Sequence, residues 1–398
     1  MTTTTAMVIG GGIAGPVAAM ALRRAGVEAV VYEAYSGTAD GVGGGLSIAP
    51  NGLDALEVIG AREAVERIGT PIEGMVMQSW TGKRLGEFGS PAHLPAMQFV
   101  WRDELYRALY DEAVRQGITV EHGKRLVDAT DTGDGVRVSF ADGTTARADI
   151  LIGADGIRST VRGLLDPAAP RPRYAGLLGF GARTSSSGLP GTGGRMHMVF
   201  GKRAFFGYQI EDDSSGGWFA NLPRREPMTR AEAVSAGADE WLRVLRDAFA
   251  DDRTPATRLI ELTDPAGLVI TGALEDIPTV PVWSRGRMVL IGDAAHPTSP
   301  SSGQGASLAI ESAVELARCL RDLPHDQAFA AYERARRSRV ERIIALAART
   351  NSDKAAGPVA RVLRDLLMPT AMRLAKPEKF TWQFEHHIEW TSPAAVPA

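Results

Sequence analysis

Asp293 is a carboxylate that stands between a short apolar run and a loop with little side-chain bulk. The run, residues 288–291, predicts a buried strand, and residues 297–305 are rich in proline, serine and glycine. A carboxylate at a strand end can accept hydrogen bonds from a polyol, and the bare amides of the loop can contact a flat ring. Apolar residues from Ala306 onward recur at helical spacing, so a helix dipole would add positive charge there. The stretch therefore predicts a site for a ligand with a polyol and a planar ring, as a flavin has.

Three glycines near the start of the chain, Gly10-x-Gly12-x-x-Gly15, lie between a predicted strand and a predicted helix. In a dinucleotide-binding turn, the first glycine makes the tight turn and the second lets the backbone approach a pyrophosphate. The third allows the helix to pack closely on the strand. Glu33 ends the following strand, where its carboxylate can accept hydrogen bonds from an adenosine ribose. The pattern predicts dinucleotide binding without separating FAD from NAD; the alternative is a merely tight turn with Glu33 on the surface.

A third predicted strand end carries the sequence "GADGIRSTVR", residues 153–162, in which Asp155 and Gly156 precede a helix start. By itself this segment is equally typical of an ordinary capped helix whose arginines are solvated. In combination with the glycine pattern and the Asp293 stretch, it favours FAD over NAD as the bound dinucleotide.

The elements that would position these residues alternate between strand and helix. Residues 6–10, 14–26 and 27–34 predict a strand, a helix and a strand, which form a βαβ unit and imply a parallel sheet. Residues 171–283 instead offer aromatic-rich strand candidates separated by proline, glycine and serine, with one helix near 230–250. This second region predicts an antiparallel sheet.

The composition is that of an ordinary globular protein and excludes several classes of function. The chain has 398 residues, of which 44% are hydrophobic and 23% charged, and its net charge is −3. This charge gives no reason to expect nucleic acid or an anionic membrane as a partner. The one cysteine, Cys319, excludes an intrachain disulfide and a cysteine zinc site, and we predict no metal site. Because no signal peptide or membrane-length apolar stretch is recognisable, we expect a cytoplasmic protein of undetermined oligomeric state.

The three motifs occur in the order that is found in a known family. With the glycine pattern and Glu33, "GADGIRSTVR", and "GRMVLIGDAAHPTSPSSGQGAS" (286–307), the chain resembles the single-component FAD-dependent aromatic hydroxylases. These group-A flavoprotein monooxygenases are typified by p-hydroxybenzoate hydroxylase and salicylate hydroxylase. The resemblance covers roughly residues 5–350. The chain departs from the family at Ser312, preceded by Glu311, where many members carry aspartate.

The resemblance implies which residues hold FAD. The ADP part would be bound by Gly10, Gly12, Ile13, Ala14, Gly15 and Glu33. The phosphate and ribityl region would be contacted by Arg102, Asp155 and Asp293, and Asp155 would also serve the transient nicotinamide cofactor. The ring system would lie against Pro300, Gly303, Gln304, Gly305 and Ala306.

Elements and resemblance together predict an α/β fold with an α+β insert. We expect a Rossmann-like FAD-binding domain with a parallel sheet, an antiparallel-sheet substrate domain and C-terminal helices. The FAD-binding domain would comprise residues 1–71, 100–170 and 284–350. The substrate domain would comprise residues 72–99 and 171–283, and residues 351–398 would form a C-terminal helical segment and tail.

The family chemistry consumes NAD(P)H and O2. The resemblance implies that NAD(P)H reduces FAD and that O2 forms a C4a-hydroperoxyflavin, which hydroxylates an aromatic or polyketide-like small molecule. The sequence has no second glycine fingerprint flanked by a strand and a helix, which agrees with an NAD(P)H that binds only transiently. Two alternatives stay open: an epoxidase or oxidative decarboxylase on the same scaffold, and a flavin-containing binding protein without turnover.

Candidate substrate contacts lie in and near the aromatic-rich region 195–222. No single side chain is obligatory for oxygen transfer, but a phenolic substrate benefits from a nearby base or hydrogen-bond acceptor. The candidates are His197, Tyr208, Arg183 and Phe206. A structural place in the sheet is the alternative for each of them, and strand alternation alone does not define which face meets the flavin.

Replacement of Asp293 tests the predicted cofactor site. Asp293→Ala should lower the FAD that copurifies with the protein, because the ribityl chain loses a hydrogen-bond acceptor, whereas Cys319→Ala should leave it unchanged. Visible absorbance of the purified, yellow protein measures the flavin content. Equal flavin contents in the two variants would contradict the role given to Asp293.

Overall fold

The structure is a computed structural model that describes residues 4–37, 43–354, 357–374 and 381–394. Its strands are β1 (Thr5–Ile9), β2 (Glu28–Tyr32), β3 (Gly45–Ile48), β4 (Thr70–Ile72), β5 (Gly74–Ser79), β6 (Arg84–Gly89), β7 (Met97–Trp101), β8 (Thr119–Glu121), β9 (Leu126–Asp131), β10 (Val136–Phe140), β11 (Thr145–Ala148), β12 (Ile150–Gly153), β13 (Arg173–Thr184), β14 (Arg195–Phe200), β15 (Phe205–Ile210), β16 (Gly216–Pro223), β17 (Val269–Asp276), β18 (Ser284–Arg285) and β19 (Met288–Leu290). Its α-helices are α1 (Ala14–Arg24), α2 (Pro50–Val58), α3 (Arg62–Glu66), α4 (Arg102–Arg115), α5 (Thr160–Leu165), α6 (Arg230–Ser235), α7 (Ala238–Phe249), α8 (Ala256–Glu261), α9 (Gly305–Asp322), α10 (His325–Lys354) and α11 (Pro358–Leu374).

A six-stranded sheet in the order β18-β19-β12-β1-β2-β8 forms the base of the fold. β1 pairs in parallel with β2 and with β12, and β12 pairs in parallel with β19. The predicted βαβ unit is therefore confirmed. Strand β12 is buried along its whole length, as expected for a parallel sheet that is covered on both faces. Because parallel strands end at one edge of a sheet, Gly10, Glu33, Asp155 and Asp293, which follow four of these strands, meet at that edge.

A seven-stranded sheet in the order β17-β13-β16-β15-β14-β5-β6 forms the second region. Its pairings are antiparallel, as predicted for 171–283, except that β14 and β5 run parallel. The prediction of one helix near 230–250 is wrong, because α6, α7 and α8 are separate helices. Gly237, at a φ of +89°, separates α6 from α7 in a backbone conformation that favours glycine.

The two faces of the seven-stranded sheet pack against different parts of the chain. One face packs on α7 and α8, where the rings of Phe206 and Trp218 stack with centroids 5.3 Å apart and Phe206 meets Phe249 at 5.2 Å. On the other face, Met196 packs with Ile72 and Met97, which belong to or adjoin the small sheet β3-β7-β4. That second face therefore points toward the parallel sheet. None of the helices in the described ranges combines the length and the apolar character that crossing a bilayer requires.

A buried ionic cluster joins α9 to α10. Glu311 and Arg336 are both fully buried and form an ion pair, and Arg339 lies with its Nη2 2.9 Å from Glu311 Oε1. Arg336 Nε also donates to Ser312 Oγ at 3.2 Å, and Asn51 Nδ2 donates to Glu311 Oε1. Ser312, where the chain departs from the family pattern, and Glu311 before it are thus part of one polar network in the core.

Loss of one partner of this cluster should destabilise the protein strongly. Arg336→Met would leave the Glu311 charge with less compensation inside the core, and we expect a loss of about 3–5 kcal/mol of unfolding free energy. Urea denaturation measures this loss. Arg243→Met is the matched control, because Arg243 pairs with Glu240 on the exposed face of α7 and should change stability far less. Similar losses in the two variants would contradict a structural role for the cluster.

Candidate functional site

The glycine turn after β1 has the geometry that its sequence predicts. Gly10 has a φ of +111°, and a Cβ atom there would lie 2.5 Å from the carbonyl oxygen of Ala154. A Cβ atom on Gly15 would lie 1.9 Å from the carbonyl oxygen of Gly10, so helix and strand approach too closely for a side chain. At Gly12 the nearest atom to such a Cβ is 4.0 Å away. The first and third glycines therefore permit the packing, and the second faces open space into which a pyrophosphate fits.

Glu33 is held in place by the same turn. Its Oε2 accepts a hydrogen bond from the Gly11 N–H at 2.6 Å, and its Oε1 accepts one from the Tyr35 N–H at 2.8 Å. Helix α1 begins at Ala14, and no side chain caps its N-terminus at Ile13. The first amides of α1 are thus available to a phosphate, while Glu33 retains lone pairs for ribose hydroxyls.

Asp293 lies in a short turn, Gly292–Ala294, after β19, and its side chain is half-buried. Burial raises the pKa of Asp293 to about 6, although the charges of Arg102 and Arg162 oppose this rise. Arg102 begins α4 with an exposed side chain. A carboxylate that is poorly solvated by the protein gains from hydroxyl donors, and a ribityl chain supplies such donors.

Arg162 ties the "GADGIRSTVR" segment to the Asp293 turn. It is 4% exposed, and its Nη1 donates to the carbonyl oxygen of Ala294 at 3.0 Å. The alternative of solvated arginines is therefore wrong for Arg162. The same alternative is correct for Arg158, whose side chain is exposed and pairs with Glu275 at 2.7 Å. Sequence reasoning missed the buried role of Arg162, because a helix start gives no sign of which residues another loop will cover.

Asp155 makes local hydrogen bonds in the structure. Its Oδ1 accepts from the Ser159 hydroxyl at 2.5 Å, and its Oδ2 accepts from the Val161 N–H at 3.0 Å, so the carboxylate stabilises the start of α5. Burial raises its pKa. A contact of Asp155 with FAD or with a nicotinamide cofactor stays a prediction.

The loop after Asp293 ends in a second uncapped helix. Pro300–Ser302 form a 3-10 turn, Gly303 follows at a φ of +61°, and α9 begins at Gly305 without a side-chain cap at Gln304. The side chain of Gln304 is fully buried and its Oε1 accepts from Asn51 Nδ2 at 3.0 Å. Its backbone N–H donates to Ser302 Oγ at 3.0 Å, so the amides that α9 can offer to a ligand are those that follow Gln304. Helices α1 and α9 pack on each other. Their N-termini therefore present two sets of amides near one sheet edge, as the two ends of FAD require.

His296 stabilises this loop as an uncharged imidazole. Its ring is buried, and its Nε2 lies 2.8 Å from the hydroxyl of Ser312. Burial and the charge of Arg336 lower the pKa of His296 to about 3. The imidazole is consequently neutral at physiological pH and fixes the loop against α9.

Three predicted substrate contacts lie on the helix-covered side of the second sheet. Phe206 is fully buried between the sheet and α7, and Tyr208 is 5% exposed on the same face. The Tyr208 hydroxyl lies 3.0 Å from Nδ1 of His197, which pairs with Tyr208 across the two strands. Burial raises the pKa of Tyr208 to about 12 and lowers that of His197. These positions remove Phe206, Tyr208 and His197 from the face that points toward the parallel sheet, because strand alternation places them on the opposite one.

Arg183 lies at a cavity between the seven-stranded sheet and the small sheet β3-β7-β4. The cavity has a volume of about 380 Å³, and its lining includes Phe99, Trp101 and Gln209. The guanidinium of Arg183 lies 4.3 Å from the centroid of the Trp101 ring, and it donates to Asp103 and Glu104. The charge of Arg183 is thus already compensated within the chain. The sequence did not mark Phe99 or Trp101 as lining residues, because the small sheet β3-β7-β4 that carries them is formed by distant segments.

Comparison with known proteins agrees with this geometry. The family model described as "FAD binding domain" matches residues 3–186 and 274–347. Among characterised relatives, 6-hydroxynicotinate 3-monooxygenase of Pseudomonas fluorescens is 30% identical over 84% of this chain and 88% of its own length. A 3-amino-4-hydroxybenzoate 2-monooxygenase of Streptomyces platensis is 33% identical over 94% of each chain. The crystal structure of Klebsiella pneumoniae HpxO with FAD and uric acid is similar with a TM-score of 0.81 and 27% identity, over 94% of each chain.

The chain belongs to the group-A FAD-dependent aromatic hydroxylases, a family of flavoprotein monooxygenases. The predicted fold class, the FAD cofactor and the monooxygenase class are confirmed. The alternatives of an epoxidase, a decarboxylase or a binding protein without turnover are not favoured by these relatives. The residue-by-residue contacts with FAD remain predictions that the geometry above supports.

The pKa of Asp293 leads to opposite expectations for stability and for FAD binding. In the FAD-free protein, a folded-state pKa of about 6 against an ordinary value of 3.8 means that the ionised carboxylate opposes folding above pH 6. Asp293→Asn should therefore stabilise the FAD-free protein at pH 8, by on the order of 2 kcal/mol, and this gain should shrink as the pH falls toward 4. Its affinity for FAD should fall, because an amide is a weaker acceptor for ribityl hydroxyls.

Thermal denaturation at pH 8 and pH 5, together with fluorescence titration of FAD, measures both effects. A variant that is less stable than the wild type at pH 8 would show that Asp293 has a compensating partner in the folded chain.

Proposed function

We propose that this protein hydroxylates an aromatic small molecule with NAD(P)H as the reductant and O2 as the oxygen donor. The proposal is supported by one observation above all: the glycine turn, the Asp293 turn and the start of α9 meet at one sheet edge. The names of the relatives add that their substrates are planar aromatic compounds, such as 6-hydroxynicotinate, 3-amino-4-hydroxybenzoate and urate.

The residues of this chain would bind and orient the cofactor. Glu33 would accept the ribose hydroxyls of the ADP part, the amides of α1 would bind the pyrophosphate, and Asp293 would accept the ribityl hydroxyls. FAD, when bound, would supply the hydride acceptor and the site of O2 activation. The first amides of α9 would stabilise negative charge on the reduced ring, since they point outward from an uncapped helix end.

The second sheet would exclude water from the reacting atoms. Its inward face carries Met196, Met198 and Phe219, which pack with residues of the small sheet. An apolar cover of this kind favours oxygen transfer to the substrate over release of H2O2, because activated oxygen on a flavin decays when water has access. The same cover would favour ligands with a flat ring.

NAD(P)H would bind only while it reduces the flavin. In the described part of the chain, one parallel sheet with one glycine turn is present, and FAD would occupy it. The proposed cytoplasmic location agrees with a single cysteine, Cys319, that lies buried as a free thiol.

An oxidation assay tests the proposed function. Consumption of NADH or NADPH by the FAD-loaded protein should rise when a hydroxylatable aromatic compound is added, with one hydroxylated product formed for each NAD(P)H in the coupled case. A panel of hydroxybenzoates, hydroxypyridines and purines is followed by absorbance at the nicotinamide band and by mass spectrometry of the products. Stimulation of NAD(P)H oxidation without any oxygenated product across the panel would contradict hydroxylation.

A further inference from the structure

Lys354, the last residue of α10, places a positive charge against the inward face of the second sheet. Its Nζ donates a hydrogen bond to Asn221 Oδ1 at 2.7 Å and lies 4.2 Å from the centroid of the Phe205 ring. The Phe219 ring centroid is 6.0 Å from the same Nζ. Asn221 and Phe219 are on β16 and Phe205 is on β15, and strand alternation places all three on the face opposite α7 and α8.

The charge of Lys354 has no acidic partner among the described residues. Burial lowers its pKa to about 7, and no carboxylate counteracts this effect. Arg336, a buried cation earlier in the same helix, differs from Lys354 because the carboxylate of Glu311 compensates its charge. A desolvated ammonium that has only an amide and aromatic rings around it is stabilised when an anion comes within reach. The residue as a whole is half-buried.

Lys354 lies beside the loop that is predicted to contact the flavin ring. Asn351, which is one helical turn before Lys354, accepts a hydrogen bond at its Oδ1 from the Ser299 hydroxyl at 3.1 Å. Ser299 directly precedes the Pro300–Ser302 turn, and α10 packs on that turn. The end of α10 therefore spans from the ring-contacting loop to the aromatic patch of Phe205 and Phe219. A flavin ring bound at this loop, as predicted, would lie beside the patch, and a substrate must lie close to the ring to react.

We propose that Lys354 and Asn221 bind an anionic oxygen, carboxylate or phenolate, of an aromatic substrate whose ring packs against Phe219. Phe205, which is 3% exposed, would contact the ammonium and not the substrate. The proposal rests on the proposed function and names the substrate class of that site. Lys354 would donate to the anion, and the Asn221 amide would hold the ammonium in position. By this assignment Lys354 contacts the substrate and takes no part in oxygen transfer.

Binding of matched ligand pairs to the FAD-loaded protein tests the proposal. The pairs are benzoate with benzamide and nicotinate with nicotinamide for the carboxylate, and 4-nitrophenolate with nitrobenzene for the phenolate. Dissociation constants come from the perturbation of flavin absorbance or from calorimetry. We expect at least one anion to bind about tenfold more tightly than its neutral partner, since a hydrogen bond to a charged group contributes that much.

Substitutions test whether the preference for the anion depends on Lys354. Lys354→Met should bring the ratio of the two dissociation constants close to one, whereas Lys354→Arg should retain a preference for the anion. Asn221→Leu is a second, independent variant that should weaken the preference by releasing the ammonium. Flavin content and melting temperature are measured for every variant, so that a folding defect is recognised before the ratios are compared.

Lys202→Met is the matched control. Lys202 also lies over an aromatic ring, that of Trp80 at 5.5 Å, but it is more exposed and pairs with Asp251 at 2.8 Å. Its removal should leave the ratio of dissociation constants unchanged.

The outcomes separate this proposal from the function on which it rests. Equal affinity of the wild type for anions and neutral partners, no binding of any anion, or an undiminished preference in Lys354→Met would each overturn the anion site. In another outcome, the preference for anions depends on Lys354 but no ligand yields an NAD(P)H-linked product. That outcome would support the anion site and contradict the hydroxylase function. If the Lys354→Met variant forms product with the same KM as the wild type, the anion site is contradicted and the hydroxylase function is not.

Discussion

Parallel pairing of β1 with β2 and β12, and of β12 with β19, is the constraint from which the site follows. Parallel strands all end at the same edge, so four segments that are far apart in the chain deliver their next residues to one place. Close packing then fixes the geometry: the contact of Gly15 with the Gly10 carbonyl leaves no room for a side chain. A side chain at Gly15 would separate α1 from β1 and move the helix amides away from a phosphate.

The polar groups at this edge are arranged so that a bound dinucleotide would complete hydrogen bonding that the protein itself does not provide. Helices α1 and α9 begin without side-chain caps, and Asp293 is poorly solvated by its surroundings. Each of these features has a cost in the isolated chain and becomes favourable only with a ligand of opposite character. The adjacent Glu311–Arg336 cluster is different, because its opposite charges compensate each other within the protein. The distinction between compensated and uncompensated charges separates the structural part of the core from its binding part.

The second sheet also has one face that is fully packed within the protein and one face that carries an uncompensated charge. Its helix-covered face is a conventional core of Phe206, Trp218 and Phe249. Its inward face combines Phe205 and Phe219 with Lys354, whose charge no described acidic group compensates. An apolar cover with one uncompensated cation suits a flat anion better than a neutral polyol, because the Phe219 ring offers dispersion contact and the ammonium offers one charged donor.

The sequence by itself determined the elements and motifs whose signal is local. The positions of Gly10, Gly12, Gly15 and Glu33 define a dinucleotide turn because each acts within about thirty residues of the others, and the order of three such motifs sufficed for the family. Only the tertiary structure decided what depends on contacts between distant segments. Arg162 is buried because the Asp293 turn covers it, and Phe206 and Tyr208 face away from the flavin side because α7 and α8 occupy their face of the sheet. Strand alternation defines two faces but not which neighbour each face meets, and Lys354 reaches the aromatic patch only because α10 packs beside the Pro300 loop.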